Sequence, residues 1–180
     1  MTVYVGFLRG INVGGKNKIK MADLKKTLEA AGLAQVQTYL QSGNVLFVSE
    51  ESTQTLSPFI EKAISEAVGV APKVMLRTID ELAQLVAECP YAPEALAEGE
   101  SIQISVLSEA ASPSFADILA KGKSDMDEFQ IQDRTMYFLF RQSVLDSKLA
   151  ANMQKLGDQI TSRNWNTMSK LVELARAYST

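Results

Sequence analysis

Apolar and polar residues alternate along several short stretches of the chain, and elsewhere apolar residues recur every three or four positions. The alternation is typical of strands and the wider spacing of amphipathic helices. We predict strands over residues 2–8, 36–41, 44–48, 73–77, 102–107, 128–131, 135–140 and 159–163. We predict helices near residues 21–31, 56–67, 80–88, 113–119, 145–156 and 165–178.

The same order of elements occurs twice: strand, helix, strand, strand, helix, short strand, helix. A βαββαβ order is typical of a ferredoxin-like unit. We therefore predict an α+β fold of two ferredoxin-like halves packed together, at residues 1–90 and 98–180, joined by a Pro- and Ala-containing connection. The repeat is one of pattern, not of individual residues. A single mixed sheet with extra helices is the alternative.

The composition restricts the chemistry. The 180 residues include no histidine and one cysteine, Cys89. Nucleophilic systems that need histidine are thereby excluded, and so is a histidine-ligated zinc. We interpret Cys89, which precedes a proline at a helix end, as structural. We expect neither a metal site nor a cofactor, and the sequence leaves open whether the protein is an enzyme.

No apolar stretch approaches the ~20 residues of a membrane-spanning helix. The first residues have no basic region before their apolar part, so we predict a strand there and not a signal peptide. With a single cysteine, these features favour a cytoplasmic location and no membrane partner. The oligomeric state stays open.

Positive charge is concentrated near the N-terminus. The net charge is −3, yet residues 9–26 contain six lysines and arginines and one acid, Asp23. An acidic protein with one basic segment disfavours general nucleic-acid binding and favours a small anionic ligand bearing a phosphate or carboxylate. A lysine-rich solvated loop is the simpler alternative.

The basic segment contains the stretch LRGINVGGKNK, which runs from Leu8 to Lys18 between a predicted strand and a predicted helix. Glycines in such a loop allow backbone N–H groups to converge on an anion, and lysines neutralise its charge. The spacing fits neither a Walker motif nor the dinucleotide fingerprint. A tight structural turn, with Asn12 and Asn17 in unusual backbone conformations, is the alternative.

Two further polar segments are candidates for the same site. Ser42-Gly43 is typical of a tight hairpin turn, and Thr161–Thr167 begins the last helix, where an adjacent arginine favours an anion. The alternative for the latter is simple helix capping. We predict that this segment lies beside the glycine loop. The predicted ligand-binding residues are Arg9, Gly10, Asn12, Gly14, Gly15, Lys16, Lys18, Gln41, Ser42, Asn44, Arg163 and Asn164.

A second hypothesis is a nucleic-acid or protein-binding module without catalysis. Sheets of this type can present exposed aromatic side chains to RNA, and Tyr4, Tyr39 and Phe47 are the candidates. The net charge weighs against it. A structural or oligomeric protein without a ligand site is a third possibility.

The chain resembles a bacterial family, domain of unknown function 1697, in several segments. These are LRGINVGG, then NK, a helix beginning with Met, TYLQSGNVLF, and TSRNWNTM followed by SKL. The resemblance extends over nearly the whole chain. It implies an α+β fold of ferredoxin-like halves and marks the same polar stretches as family signatures. It implies no catalytic residue.

Overall fold

The structure is a computed structural model that describes residues 1–12, 15 and 17–178. Within these residues the chain forms eight strands and six α-helices. The strands are β1 Thr2–Arg9, β2 Ala34–Tyr39, β3 Asn44–Ser49, β4 Lys73–Thr78, β5 Ser101–Leu107, β6 Asp127–Gln132, β7 Thr135–Phe140 and β8 Ile160–Asn164. The helices are α1 Met21–Ala30, α2 Thr53–Val68, α3 Ile79–Ala87, α4 Pro113–Ala120, α5 Lys148–Met153 and α6 Trp165–Arg176. Short 3-10 turns cover Pro93–Ala95, Val144–Asp146 and Gln154–Gln159.

The predicted order of elements and the α+β class are confirmed. The strands form two four-stranded sheets with the orders β2-β3-β1-β4 and β6-β7-β5-β8. All neighbouring strands in both sheets are antiparallel. The alternative of one mixed sheet is therefore wrong.

The chain forms two compact units. Unit 1 comprises residues 1–83 and 170–180, and unit 2 comprises residues 84–169. The C-terminal residues are held in unit 1 by the hydroxyl of Tyr178, which donates a 2.7 Å hydrogen bond to the carbonyl oxygen of Gln35. The predicted boundaries at residues 90 and 98 stay a prediction.

The core of unit 1 is formed by one face of its sheet and helices α1 and α2. Apolar residues three or four positions apart put Leu24 and Leu28 on the buried face of α1, and Ile60 and Ile64 on that of α2. They belong to one apolar cluster with alternate residues of the strands, namely Tyr4, Leu8, Val45, Phe47, Val74 and Leu76. Helix α2 begins at the capping residue Ser52 and ends at Gly69, whose φ is 73°.

Unit 2 contains a correction to the predicted helix over residues 145–156. Ser147 has an extended backbone there, and its hydroxyl accepts a hydrogen bond from the N–H of Ala150 and donates one to Asp127. Helix α5 therefore begins only at Lys148 and is followed by a 3-10 turn. A contact with a carboxylate twenty positions away fixes this boundary, and no local periodicity encodes it.

The two sheets share a residue-level repeat that the sequence pattern did not reveal. Arg77 of β4 pairs with Val5, and Arg163 of β8 pairs with Ile104. Each arginine is buried and donates a 2.8 Å hydrogen bond to the carbonyl oxygen of the preceding residue. The next residue in each case accepts a hydrogen bond from an N–H in the first turn of the following helix. The connections differ, because residues 10–20 join β1 to α1, whereas residues 108–112 join β5 to α4.

Candidate functional site

Three polar segments meet at one end of the first sheet because its strands are antiparallel. Strand β1 ends at Arg9, the β2–β3 turn follows Tyr39, and β4 begins at Lys73. In register, Phe7 pairs with Asn44 and Arg9 with Lys73. The end of β1, the hairpin turn and the start of β4 therefore lie together.

Asn12 joins the glycine loop to the hairpin turn. Its side-chain Nδ2 donates hydrogen bonds to the carbonyl oxygens of Gln41, at 2.7 Å, and Ile19, at 3.1 Å. Its Oδ1 accepts a 2.9 Å hydrogen bond from the N–H of Ile19. Asn12 and Asn17 have φ values of 54° and 53°, a conformation that asparagine tolerates better than most residues. Both asparagines therefore have the unusual backbone conformations that the alternative of a tight turn expects.

The hairpin turn packs closely against the end of β1. The N–H of Leu8 donates a 2.9 Å hydrogen bond to the carbonyl oxygen of Gly43. A Cβ atom on Gly43 would lie 2.7 Å from the Cδ1 of Ile11, and the φ of Gly43 is 92°. Asn44 is completely buried, and its Nδ2 donates to the carbonyl oxygen of Tyr39 and to the Oγ of Ser42. Its amide is therefore engaged within the turn.

An open cleft of about 740 Å³ lies beside these contacts. Its lining residues come from the glycine loop, the start of α1, the hairpin turn and the end of α2. They are Asn12, Gly15, Lys18, Ile19, Lys20, Asp23, Gln41 and Val68.

Two lysines that flank a buried residue line this cleft. Ile19 is buried in the apolar cluster, with a relative exposure of 5%, whereas Lys18 and Lys20 are exposed and line the cleft. Lys20 is the N-cap residue of α1, and its side chain makes no capping hydrogen bond. Asp23 lies in the first turn of that helix.

Three other predicted residues, Arg9, Gly10 and Ser42, are not among the described residues that line this cleft. The carbonyl oxygen of Gly10 accepts a 2.9 Å hydrogen bond from the side chain of Asn17. Arg9 is half-buried, and Gly10 and Ser42 are exposed. Gly14 and Lys16 were also predicted and lie outside the described residues.

Arg163 and Asn164 belong to unit 2. Burial lowers the pKa of the Arg163 guanidinium to about 10. The Oδ1 of Asn164 accepts a 2.8 Å hydrogen bond from the N–H of Thr167, which confirms that this residue caps α6. The proximity of this segment to the glycine loop stays a prediction.

The aromatic residues proposed for RNA stacking do not form an exposed platform. Tyr4 and Phe47 are buried, with 5% and 0% relative exposure, and stack on each other with ring centroids 5.5 Å apart. Only Tyr39 is partly exposed among the three. The prediction that Tyr4 and Phe47 are available to bases is therefore wrong.

Cys89 and the acidic residues after 124 have structural surroundings. The Sγ of Cys89 lies 3.5 Å from the carbonyl oxygen of Tyr91, and burial raises the pKa of the thiol, which lowers its reactivity. Asp127 is fully buried and accepts hydrogen bonds from Gln142 and Ser147. In the described part of the chain, no three Cys, Asp or Glu residues are grouped as metal ligands.

Four residues that line the cleft were not among the predicted ligand-binding residues, namely Ile19, Lys20, Asp23 and Val68. Asp23 could have been recognised from the sequence, because it is the single acid among the basic residues 9–26. Val68 could not, since only the packing of α2 brings it to the cleft. No helix in the described ranges has the length and apolar character needed to cross a membrane.

Comparison with known proteins identifies a family and a similar structure. No curated protein matches the chain. The conserved bacterial protein SP0830 from Streptococcus pneumoniae has a similar structure, with a TM-score of 0.76 and 24% identity over 97% of this chain and 98% of that one. A family model described as "Protein of unknown function (DUF1697)" matches residues 1–137, a range that excludes the TSRNWNT segment. The chain therefore belongs to the DUF1697 family.

Proposed function

We propose that the protein binds a small anionic ligand, bearing a phosphate or a carboxylate, in the cleft beside residues 10–20. The observation that carries the proposal is the pair Lys18 and Lys20, both exposed and both lining a cleft of about 740 Å³. Small-molecule sites typically have volumes of ~300–1,000 Å³. Ile19, which separates the two lysines, is buried in the apolar cluster.

The start of helix α1 supports an anion. The N-cap residue Lys20 and the first-turn residue Asp23 both line the cleft, so the helix begins there. The first N–H groups of a helix lack partners within it and favour a negatively charged ligand.

The length of the connection supports a role beyond joining two elements. Connections between a strand and a helix usually have ~2–6 residues. The connection of residues 108–112, which joins β5 to α4, has a length in that range. The connection of residues 10–20, which joins β1 to α1, is longer. Long connections in compact domains are often binding loops.

We also infer that each half is a ferredoxin-like unit, in a cytoplasmic protein of bacterial origin. The order β2-β3-β1-β4, with antiparallel neighbours and two intervening helices, supports the ferredoxin-like assignment. The single cysteine supports the location, and the bacterial source of the similar structure supports the origin. A structure of either half expressed separately tests the assignment.

Thermal unfolding in sodium phosphate and in sodium chloride of equal ionic strength tests the binding proposal. Ligand at a hundredfold excess over Kd stabilises the folded state by about 2.7 kcal/mol. We expect phosphate to raise the Tm of the wild type more than that of a Lys18→Gln/Lys20→Gln variant. The matched control is Lys25→Gln/Lys26→Gln, which removes two exposed charges from α1 outside the cleft.

The control separates binding from general salt effects. Phosphate stabilises most proteins because it is excluded from their surfaces, and that effect is common to all three proteins. We expect an additional rise in the wild type and the control variant only. Equal shifts in all three proteins would refute the proposal.

A further inference from the structure

We infer that the ligand is a phosphorylated polyol, such as a sugar phosphate, with its phosphate at Lys18 and Lys20 and a hydroxyl at Asp23. This inference rests on the proposed function and names the class of ligand. Four features of the cleft support it: the number of cations, the presence of one carboxylate, the absence of aromatic rings from its described lining, and its size.

The number of cations favours a phosphate over a carboxylate. A phosphate monoester carries a charge of about −1.5 to −2 at neutral pH, whereas a carboxylate carries −1. Lys18 and Lys20 are both exposed and supply two positive charges to the lining of the cleft. Each lysine provides up to three N–H donors for the phosphate oxygens.

Asp23 indicates a hydrogen-bond donor on the ligand. Its carboxylate lines the same cleft as the two lysines and repels any purely anionic ligand. An ionised carboxylate only accepts hydrogen bonds, so a ligand that contacts Asp23 favourably presents a hydroxyl group there. The exposed amide of Gln41 adds a second polar contact for hydroxyls. A first-turn acid also stabilises its own helix, and the experiment below distinguishes the two roles.

The apolar part of the lining disfavours a nucleotide. Ile19 and Val68 are its apolar side chains, and none of the described lining residues is aromatic. Proteins commonly hold nucleobases by stacking them on aromatic side chains or arginine planes. The cleft, at about 740 Å³, has room for a ligand larger than inorganic phosphate. A polyol phosphate satisfies the charges and the polar contacts without a ring to stack.

Isothermal titration calorimetry of the full chain tests the inference. The probes are inorganic phosphate, glycerol 3-phosphate, ribose 5-phosphate, glucose 6-phosphate, unphosphorylated glucose and AMP. A hydrogen bond to a charged group contributes about a tenfold gain in affinity. We therefore expect at least one of the three polyol phosphates to bind about tenfold more tightly than inorganic phosphate. Glucose should not bind, and AMP, whose base has no aromatic stacking partner in the described lining, should bind no more tightly than ribose 5-phosphate.

The Asp23→Ala variant isolates the hydroxyl contact. It removes a negative charge, so its affinity for inorganic phosphate should be unchanged or higher. The tenfold advantage of the polyol phosphate should disappear. Asp23→Asn keeps an acceptor oxygen at the same position and should retain part of that advantage. A helix-stabilising role alone would lower the Tm without changing the ratio of the two affinities, and an unchanged ratio would overturn the inference.

The remaining outcomes separate the inference from the proposed function. If inorganic phosphate binds through Lys18 and Lys20 but no polyol phosphate binds more tightly, the ligand class is wrong and the anion site stands. Tighter binding of AMP than of all three polyol phosphates would likewise overturn the ligand class alone. Absence of binding by every phosphate probe would overturn both.

Discussion

The side-chain Nδ2 of Asn12 lies 2.7 Å from the carbonyl oxygen of Gln41, which is 29 positions further along the chain. This hydrogen bond joins the glycine loop to the hairpin turn of the first sheet. Because both residues line the cleft, the bond also fixes the distance between its two walls. The shape of the candidate site therefore depends on one asparagine that need not touch the ligand.

We expect Asn12→Ala to lower the free energy of unfolding by about 2–4 kcal/mol. The substitution leaves the N–H and carbonyl oxygen of Ile19 without their side-chain partner. Alanine also has a Cβ atom but no polar side chain that could stabilise a φ of 54°. The resulting backbone strain adds about 1–2 kcal/mol to the destabilisation. Urea unfolding measures the change.

Asn12→Gly is the matched variant, because glycine adopts this backbone conformation without strain. It loses the same hydrogen bonds, so it should be destabilised less than Asn12→Ala. Wild-type stability of both variants would contradict the structural role assigned to Asn12.

Gly43→Ala should destabilise the protein more than Gly69→Ala. Both glycines have positive φ values, 92° and 73°. A Cβ on Gly43 would meet Ile11 at 2.7 Å and Leu8 at 3.0 Å, whereas one on Gly69 would meet nothing within 4 Å. The backbone strain of about 1–2 kcal/mol is common to both substitutions. At Gly43, overpacking against Ile11 and Leu8 adds about 1–3 kcal/mol to the destabilisation. Equal losses in chemical denaturation would show that Ile11 moves aside freely.

Local periodicity predicts most of the fold. Helix α2 follows from the spacing of Leu56, Ile60 and Ile64, with Gly69 as its end. The position of β1 follows from its nearly uninterrupted apolar sequence. The helix over residues 145–156 was predicted too long because the side chain of Ser147 binds Asp127, which is distant in sequence. Such boundaries depend on tertiary contacts.

Two tyrosines of unit 2 should respond oppositely to removal of their hydroxyl groups. The Tyr137 hydroxyl donates a 2.5 Å hydrogen bond to the carbonyl oxygen of Leu85. The Tyr91 hydroxyl is buried and has no hydrogen-bond partner among the described residues. We expect Tyr137→Phe to lower stability by about 1 kcal/mol and Tyr91→Phe to raise it by roughly the same amount. Destabilisation by Tyr91→Phe would indicate a partner for that hydroxyl.

Stability should fall as the pH rises above 10. Burial raises the pKa of Tyr91 to about 12 and also raises that of Tyr137. Between pH 10 and 12 the unfolded chain releases tyrosine protons that the folded protein retains, so unfolding becomes more favourable. The lowered pKa of Arg163, about 10, acts in the opposite direction over the same range.

Urea midpoints at pH 8 and pH 11 measure this dependence. The Tyr91→Phe/Tyr137→Phe variant should lose less stability between these two values than the wild type does. An identical loss in both proteins would assign the alkaline sensitivity to other groups.

The candidate site is only partly predictable from the sequence. The basic glycine-containing segment and the Gln41–Asn44 turn are evident, because glycine, asparagine and lysine are unusual together after a strand. The contact between these two segments can be predicted from the antiparallel order of the sheet. The presence of Val68 in the cleft lining cannot be predicted, since it depends on how α2 packs. The engagement of Asn44 within the turn also becomes evident only from its hydrogen bonds.

The repeat of Arg77 and Arg163 gives the chain an internal pseudo-symmetry. Each is a buried arginine in the last strand of its sheet, paired in register with the first strand and followed by a helix-capping residue. A superposition of one sheet on the other, matched by strand order, would place β1 on β5 and β4 on β8. The two superposed segments would then differ most in length where β1 and β5 lead into their helices.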